Sequence, residues 1–145
     1  MRILVINGPN LNLLGKRDQS HYGSRTLDEI NAALLERARE LGVEIFDYQS
    51  NHEGSLIDFI QVQTAGADGI IINPGALTHY GLSLMDALID SRLPVVEVHL
   101  SDIHSREEFR RKSVIEPIAR KQISGHGWQG YIEALDFLVS ELGGS

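Results

Sequence analysis

Short apolar runs alternate with longer segments of helical periodicity along the chain. Residues 3–6 are a continuous apolar run, typical of a strand buried on both faces of a sheet, and residues 69–73 and 94–100 are predicted to be further strands. Residues 43–49 read as another strand, and residues 117–125 contain a candidate for a short fifth one. Strands that alternate with helices predict a parallel sheet covered on both sides.

The clearest helix signal lies in residues 26–42. Thr26 and Glu29 have the spacing of a capping box, and Gly42 is placed to end the helix. Further helices are predicted at residues 55–65, 80–90, 106–112 and 128–142. Together, the segments predict an α/β protein of the flavodoxin-like type, with a five-stranded parallel sheet and helices on both faces.

Composition favours one domain that binds neither nucleic acid nor membrane. The 145 residues fit a single catalytic domain, residues 1–145, and the net charge of −7 disfavours attraction to nucleic acid or anionic lipid. The first ten residues are too short an apolar stretch for a signal peptide or a membrane span. No cysteine is present, which suits a reducing compartment, so a cytoplasmic location is expected.

Polar clusters follow the predicted strands where each strand ends. They occupy residues 7–12, 50–54, 73–81 and 99–106, and the carboxyl edge of an open α/β sheet is where ligands bind. Nucleotide-binding glycine motifs, metal-binding H-E-x-x-H and nucleophilic G-x-S-x-G are all absent from the sequence. These features predict a small-molecule pocket that performs acid–base chemistry with no cofactor and no metal.

His99 is the strongest single candidate for an acid or base. It lies near the end of a buried strand, with Glu97 two positions earlier on the same face. The structural alternative is a histidine whose hydrogen bonds are all made inside the sheet. Leu100 and Ser101 follow at the strand exit, where backbone N–H groups and the Ser101 hydroxyl suit a carboxylate.

Four other polar side chains have both a binding and a structural interpretation. Asn73 ends an apolar strand, where its amide either braces a loop or binds substrate. His79 and Asp86 are seven residues apart, so one helix would place them two turns apart on one face, as ligands of hydroxyl groups or as a surface ion pair. Arg110 lies in a predicted helix whose solvated face would also explain it.

Residues 15–23, GKRDQSHYG, form a polar loop whose tyrosine has no apolar run beside it. Tyr22 either packs at the edge of the core or serves as a base on a loop that covers the pocket. Arg17 lies five residues earlier, and a guanidinium close to a phenol stabilises the phenolate.

With these residues assembled, the chain resembles the type II 3-dehydroquinate dehydratases over nearly its whole length. The resemblance rests on stretches in the order of that family: NGPNLNLLGKR, YGSRTLDEI, SNHEGSLID, GIIINPGALTHYGLSLMDAL, PVVEVHLSDIHSREEFR and ISGHGWQGY. It implies a flavodoxin-like enzyme of the shikimate route that uses no cofactor or metal. Its reaction would be the anti elimination of water from 3-dehydroquinate, through an enolate, to give 3-dehydroshikimate. It also implies a homododecamer built from trimers.

The same resemblance implies a role for each candidate residue. Tyr22 resembles the base beside the ketone, Arg17 the cation that supports it, and His99 the acid that protonates the departing hydroxyl. Asn12 is similar to the residue that stabilises the enolate through a water molecule. The substrate-binding set implied by the family is Asn73, His79, Asp86, Leu100, Ser101 and Arg110, with Asp86 reaching the site of a neighbouring subunit.

One departure from the family pattern lies in the loop. Gln19 follows Arg17-Asp18 where the family commonly has proline, and loss of that proline leaves the open loop less restricted. Two alternatives stand beside the dehydratase: another flavodoxin-like lyase acting on a polyhydroxylated acid, and a noncatalytic binding or signalling module. A binding module would have no reason to combine Tyr22 and Arg17 with His99.

Overall fold

The computed structural model describes residues 1–143, which fold around one five-stranded sheet. Its strands are all parallel and lie in the order β2-β1-β3-β4-β5. They run over Arg2–Asn7, Glu44–Gln49, Gly69–Asn73, Val95–His99 and Lys121–Ser124 for β1 to β5. This order is that of flavodoxin, and it confirms the α/β prediction, including the short fifth strand.

Five α-helices accompany the sheet within residues 1–143. They are α1 (Gln19–Tyr22), α2 (Leu27–Leu41), α3 (Glu53–Gln63), α4 (Leu82–Ser91) and α5 (Gln129–Gly143). Helices α2 and α5 pack on one face of the sheet, and α3 and α4 pack on the other. No helix in this part of the chain is long and apolar enough to span a bilayer.

The alternation of buried side chains along the strands separates the two halves of the core. Ile3, Val5 and Ile71 point to the α2/α5 face, whereas Leu4 and Ile70 point to the α3/α4 face. Both sets are almost fully buried, as expected for strands covered on both sides. The same alternation determines which face of the sheet each polar side chain at a strand end points to.

Helix α2 begins and ends as its sequence predicts. The Thr26 hydroxyl accepts a hydrogen bond from the Glu29 N–H, and the Glu29 carboxylate accepts one from the Thr26 N–H. Gly42 closes the helix with a φ of 70°, a left-handed conformation that glycine adopts without strain.

One helix prediction is wrong in extent, and one pair of candidate residues does not lie on a common helix. Of residues 106–112, only Glu108–Arg110 form a 3-10 turn, because the segment has one large apolar side chain, Phe109, which stays 70% exposed and gives no stripe to bury. His79 and Asp86 do not share one helix. His79 ends a 3-10 turn, Gly75–His79, and the chain then turns tightly at Gly81, whose N–H donates to the Leu77 carbonyl at 2.6 Å, before α4 begins.

Close approach of two loops fixes the carboxyl edge between β1 and β3. The Gly8 N–H donates to the Asn73 carbonyl at 2.8 Å. A Cβ at Gly8 would lie 2.4 Å from the Pro74 carbonyl oxygen, which is backbone and cannot rotate away. Only glycine therefore fits at position 8 with the loops in this arrangement.

We expect Gly8→Ala to lower the free energy of unfolding by roughly 1–3 kcal/mol, because the new methyl group must push two loops apart. The matched control is Gly54→Ala in α3, where a Cβ meets nothing within 4 Å and should stabilise the helix by roughly 0.5–1 kcal/mol. Denaturant unfolding measures both variants. Equal stability of the two would contradict the close approach.

Candidate active site

A cavity opens at the carboxyl edge of the sheet, where the sequence predicts a ligand site. Its volume is about 110 Å³. Eight of the ten predicted site residues line it: Arg17, Tyr22, Asn73, His79, His99, Leu100, Ser101 and Arg110. The loops after β1, β3 and β4 and the loop that carries α1 supply these side chains.

His99 is held by a buried carboxylate. Its Nε2 contacts the Glu97 Oε2, and Glu97 has no solvent exposure. The carboxyl also accepts hydrogen bonds from the Thr78 hydroxyl at 2.6 Å and the Ser113 hydroxyl at 2.8 Å. Burial opposes the charged form, but the hydrogen bonds from His99, Thr78 and Ser113 outweigh it and hold the pKa of Glu97 below its ordinary value.

An ionised Glu97 determines the protonation pattern of the imidazole. Since a carboxylate only accepts hydrogen bonds, Nε2 of His99 must carry the hydrogen that it shares with Glu97. The other ring nitrogen, Nδ1, has no hydrogen-bond partner among residues 1–143, and the side chain lines the cavity. His99 can therefore exchange a proton with a bound ligand through Nδ1 while Glu97 keeps the ring oriented.

Tyr22 reaches the cavity from the short helix α1. Asp18 caps this helix by accepting from the Ser20 N–H at 3.0 Å, and it contacts the His21 Nδ1 at 2.8 Å. Hydrogen bonds from the Ser20 hydroxyl and from His21 lower the pKa of the Asp18 carboxyl to about 2, so the cap is charged at neutral pH. The polar loop of the sequence thus contains an ordered turn that presents the phenol.

Two arginines contact Tyr22 in different ways. The Arg17 guanidinium lies over the face of the ring, 3.8 Å from its centre. Nη1 of Arg106 donates to the phenol oxygen at 3.1 Å and approaches the Ser101 hydroxyl at 3.4 Å. The hydrogen bond that would stabilise a phenolate directly therefore comes from Arg106.

Arg106 is the functional candidate that the sequence interpretation missed. The sequence places it at the start of the predicted helix 106–112 with no role of its own, whereas its side chain is only 12% exposed. Its Nε has no hydrogen-bond partner among residues 1–143, since the Glu107 carboxylate lies 3.7 Å away. The available signal was its position at the end of the polar cluster that follows β4, HLSDIHSR.

Asn12 and Asp86 do not line this cavity. The Asn12 side chain is exposed in a separate depression, where its Oδ1 accepts from the Gln49 amide at 3.5 Å. Asp86 is exposed on α4. His79 does line the cavity, and its Nδ1 donates to the Lys112 carbonyl at 2.6 Å, which leaves Nε2 available to a ligand.

The charge lining the cavity is opposite to that of the whole chain. Arg17, Arg106 and Arg110 face it, and among residues 1–143 no carboxylate lines it, although the net charge is −7. The same residues contain no group of three or more histidine and acidic side chains placed to hold a metal ion. The cavity is therefore suited to a small organic anion, with a phenol and an imidazole available for proton transfer.

Comparison with known proteins gives one consistent result. A sequence model of the family dehydroquinase class II matches residues 1–139. The 3-dehydroquinate dehydratases of Roseiflexus castenholzii and Herpetosiphon aurantiacus are 59% and 52% identical, over 99% and 96% of this chain and 91% and 96% of theirs. The crystal structure of type II dehydroquinase from Butyrivibrio crossotus has a TM-score of 0.93 at 48% identity, over 95% of this chain and 97% of that one. That from Propionibacterium acnes has 0.92 at 40%, over 96% of both.

The lowered pKa of Glu97 predicts acid-sensitive stability. Its ionised form contributes stability above the pKa of the unfolded chain, about 4.3, and this contribution disappears as the pH falls through the lower pKa of the folded protein. Glu97→Gln should lower the free energy of unfolding by roughly 1–3 kcal/mol at neutral pH and flatten its fall between about pH 6 and pH 3.

Glu44→Gln is the matched control, because Glu44 is exposed on β2 and its side chain makes no hydrogen bond within residues 1–143. Denaturant unfolding at a series of pH values measures both variants. The same dependence on pH in Glu97→Gln as in the unsubstituted protein would show that Glu97 is not held ionised.

Proposed function

The chain belongs to the class II dehydroquinase family, and we propose that it is a 3-dehydroquinate dehydratase, a hydro-lyase that converts 3-dehydroquinate to 3-dehydroshikimate and water. The observation that carries the proposal is that the Tyr22 phenol and the His99 imidazole line one cavity together with three arginines. No carboxylate among residues 1–143 lines this cavity. 3-Dehydroquinate is a small polyhydroxylated anion, and such a cavity suits it.

The substrate would bind through its carboxylate and hydroxyl groups. Leu100 and Ser101, at the exit of β4, are proposed to hold the carboxylate through a backbone N–H and a hydroxyl. Asn73, His79 and Arg110 supply further donors around the cavity. A ring held at several points keeps its reactive carbon in a fixed position relative to the base and the acid.

Tyr22 is proposed to remove the proton beside the ketone. The phenolate takes this proton, and the electron pair of the C–H bond moves to the carbonyl oxygen to form an enolate. Arg106 donates to the phenol oxygen, and the Arg17 guanidinium lies over the ring. Once protonated, Tyr22 still lies beside Arg106, which can then donate to negative charge on the substrate.

His99 is proposed to complete the elimination. The enolate expels the hydroxyl from the carbon that lies two bonds from the former ketone carbon. The imidazolium protonates that hydroxyl, so that it leaves as water. The buried Glu97 carboxylate stabilises the imidazolium and holds the ring. The base and the acid are proposed to approach opposite faces of the ring, as anti elimination requires.

Asn12 is proposed to stabilise the enolate through a water molecule. Its neighbours Asn10 and Leu11 line the cavity, whereas the Asn12 amide lies outside it, so direct contact with the substrate is not part of the proposal. The proposal includes no metal or organic cofactor, because each proton transfer has an assigned side chain.

Asp86 is proposed to act at the cavity of a neighbouring copy, within a homododecamer built from trimers. It is exposed on α4, away from the cavity of its own chain. Leu82 and Ile89 of the same helix are 58% and 48% exposed, and association would cover these apolar side chains. The proposal places this single catalytic domain in the cytoplasm, in the shikimate route to chorismate and aromatic amino acids.

Purified protein incubated with 3-dehydroquinate should produce the ultraviolet absorption of a conjugated enone, at the same rate with and without a chelator. A folded protein that produces no absorbance change would overturn the proposed activity. Inhibition by the chelator would instead contradict the cofactor-free mechanism.

Tyr22→Phe and His99→Ala should each lower kcat by roughly 10²- to 10⁴-fold while the protein stays folded, since each removes one proton-transfer group. Tyr48→Phe and His104→Ala are matched controls, because both side chains lie outside the cavity. Steady-state kinetics with circular dichroism measures the four variants. Turnover within a few-fold of the unsubstituted enzyme in either site variant would refute the role of that residue.

Arg106→Gln should lower kcat roughly 10²-fold at about pH 7, because the phenolate loses its charged donor. Arg39→Gln on the exposed part of α2 controls for the change of net charge, and steady-state kinetics measures both variants. Turnover of Arg106→Gln within a few-fold of the unsubstituted enzyme would mean that the hydrogen bond from Arg106 to the phenol has no part in the reaction.

A further inference from the structure

Two asparagines and a tyrosine form a buried polar chain behind the cavity. Asn7 and Asn73 end the adjacent strands β1 and β3, where they pair in register, and they are 1% and 2% exposed. Tyr131 reaches both from α5 and is fully buried. Its hydroxyl donates to the Asn7 Oδ1 at 2.6 Å and accepts from the Asn73 Nδ2 at 2.9 Å.

A backbone amide determines which way the Asn73 side chain faces. The Gly75 N–H can only donate, and it lies 3.1 Å from the Asn73 Oδ1, so the oxygen of that amide must face Gly75. Nδ2 then faces Tyr131 and donates to its hydroxyl oxygen. In the structure, the single hydroxyl hydrogen is directed to the Asn7 Oδ1.

Burial keeps Tyr131 in the form that this chain requires. Loss of solvent raises the pKa of the Tyr131 phenol well above its ordinary value, although the hydrogen bond from Asn73 acts in the opposite direction. The hydroxyl thus keeps its hydrogen throughout the pH range in which an enzyme works. The amide of Asn73 has no reason to reverse, because its reversed form would place its N–H₂ group against the Gly75 N–H.

The chain leaves one hydrogen of Asn73 unassigned. Its Oδ1 and one of its two Nδ2 hydrogens are engaged by the protein, and the side chain lines the cavity. Since the Gly75 N–H and the Tyr131 hydroxyl together fix the rotation of the amide, they also fix where the second Nδ2 hydrogen points. A phenylalanine would fill the same apolar space in the core, so the hydroxyl has a function that packing does not supply.

We propose that Tyr131 and Asn7 are positioning residues for the substrate amide of Asn73. They hold it so that its second N–H donates to an oxygen of the bound substrate. This inference rests on the proposed dehydratase function. It assigns a part in substrate binding to Tyr131 on α5 and to Asn7 at the end of β1. Neither residue is in the set of site residues that the family resemblance implies.

The test is a double-mutant cycle on kcat/KM with 3-dehydroquinate. Tyr131→Phe should lower kcat/KM roughly 10-fold in the unsubstituted enzyme, because an amide held only through its oxygen by the Gly75 N–H presents its second N–H in a less defined direction. In an Asn73→Ala background, Tyr131→Phe should have no further effect, since no amide remains to be oriented. Tyr48→Phe, a tyrosine outside the cavity, should leave kcat/KM unchanged in both backgrounds.

A merely structural role gives different results. Unchanged kcat/KM in Tyr131→Phe, or the same loss in both backgrounds, would overturn the proposal, whatever happens to the free energy of unfolding. If Tyr131→Phe folds poorly, Asn7→Ala is the second variant. It should lower kcat/KM in the unsubstituted enzyme and have no further effect in the Asn73→Ala background.

A measurement that does not depend on turnover, the NMR spectrum of the Asn73 side chain, separates this inference from the proposed function. In ¹H–¹⁵N spectra of the unsubstituted protein, the two Asn73 side-chain hydrogens should have distinct shifts, and Tyr131→Phe should shift one of them upfield as its acceptor is lost. Inactivity of the unsubstituted protein with 3-dehydroquinate would refute the proposed function alone. Asn73 signals that are identical in the two proteins would refute the orientation by Tyr131.

Discussion

The site depends on one buried charge, the carboxylate of Glu97. A carboxylate with no solvent exposure is tolerated only when hydrogen bonds replace its hydration, and here the donors come from three separate segments. Thr78 belongs to the turn after β3, His99 to the end of β4, and Ser113 to the segment that follows Arg106 and Arg110. The hydrogen bonds to this carboxylate therefore join His99 to the segment that carries Arg106 and Arg110.

The two sides of the cavity are built with different rigidity. His99 and Asn73 lie at strand ends, and buried hydrogen bonds fix their orientation. Tyr22 lies on a four-residue helix between the two glycines of its loop, Gly15 and Gly23, and its links to the rest of the site are side-chain contacts with Arg17 and Arg106. A preorganised His99, the proposed acid, and a Tyr22 presented by a loop, the proposed base, suit a reaction that must first admit a hydrated anion and then exclude water.

The strand ends and the polar clusters could be predicted because both depend on local pattern. Apolar runs end at Asn7, Asn73 and His99, and a parallel sheet brings such ends to one edge whatever the strand order. Arg106 was missed because spacing within a charged segment does not show that a 3-10 turn replaces a helix. The separation of His79 from Asp86 likewise depends on the tight turn at Gly81, which helical periodicity does not reveal.

Tyr22 and His99 are proposed to act on opposite faces of one bound substrate. This arrangement can be tested with 3-dehydroquinate that carries deuterium in turn at each of the two hydrogen positions on the carbon between the ketone and the departing hydroxyl. Mass spectrometry of the product identifies which label is lost. If the two residues act from opposite faces, the deuterium trans to the departing hydroxyl is lost and the deuterium cis to it is retained. Loss of the cis deuterium would show that the elimination takes place on one face.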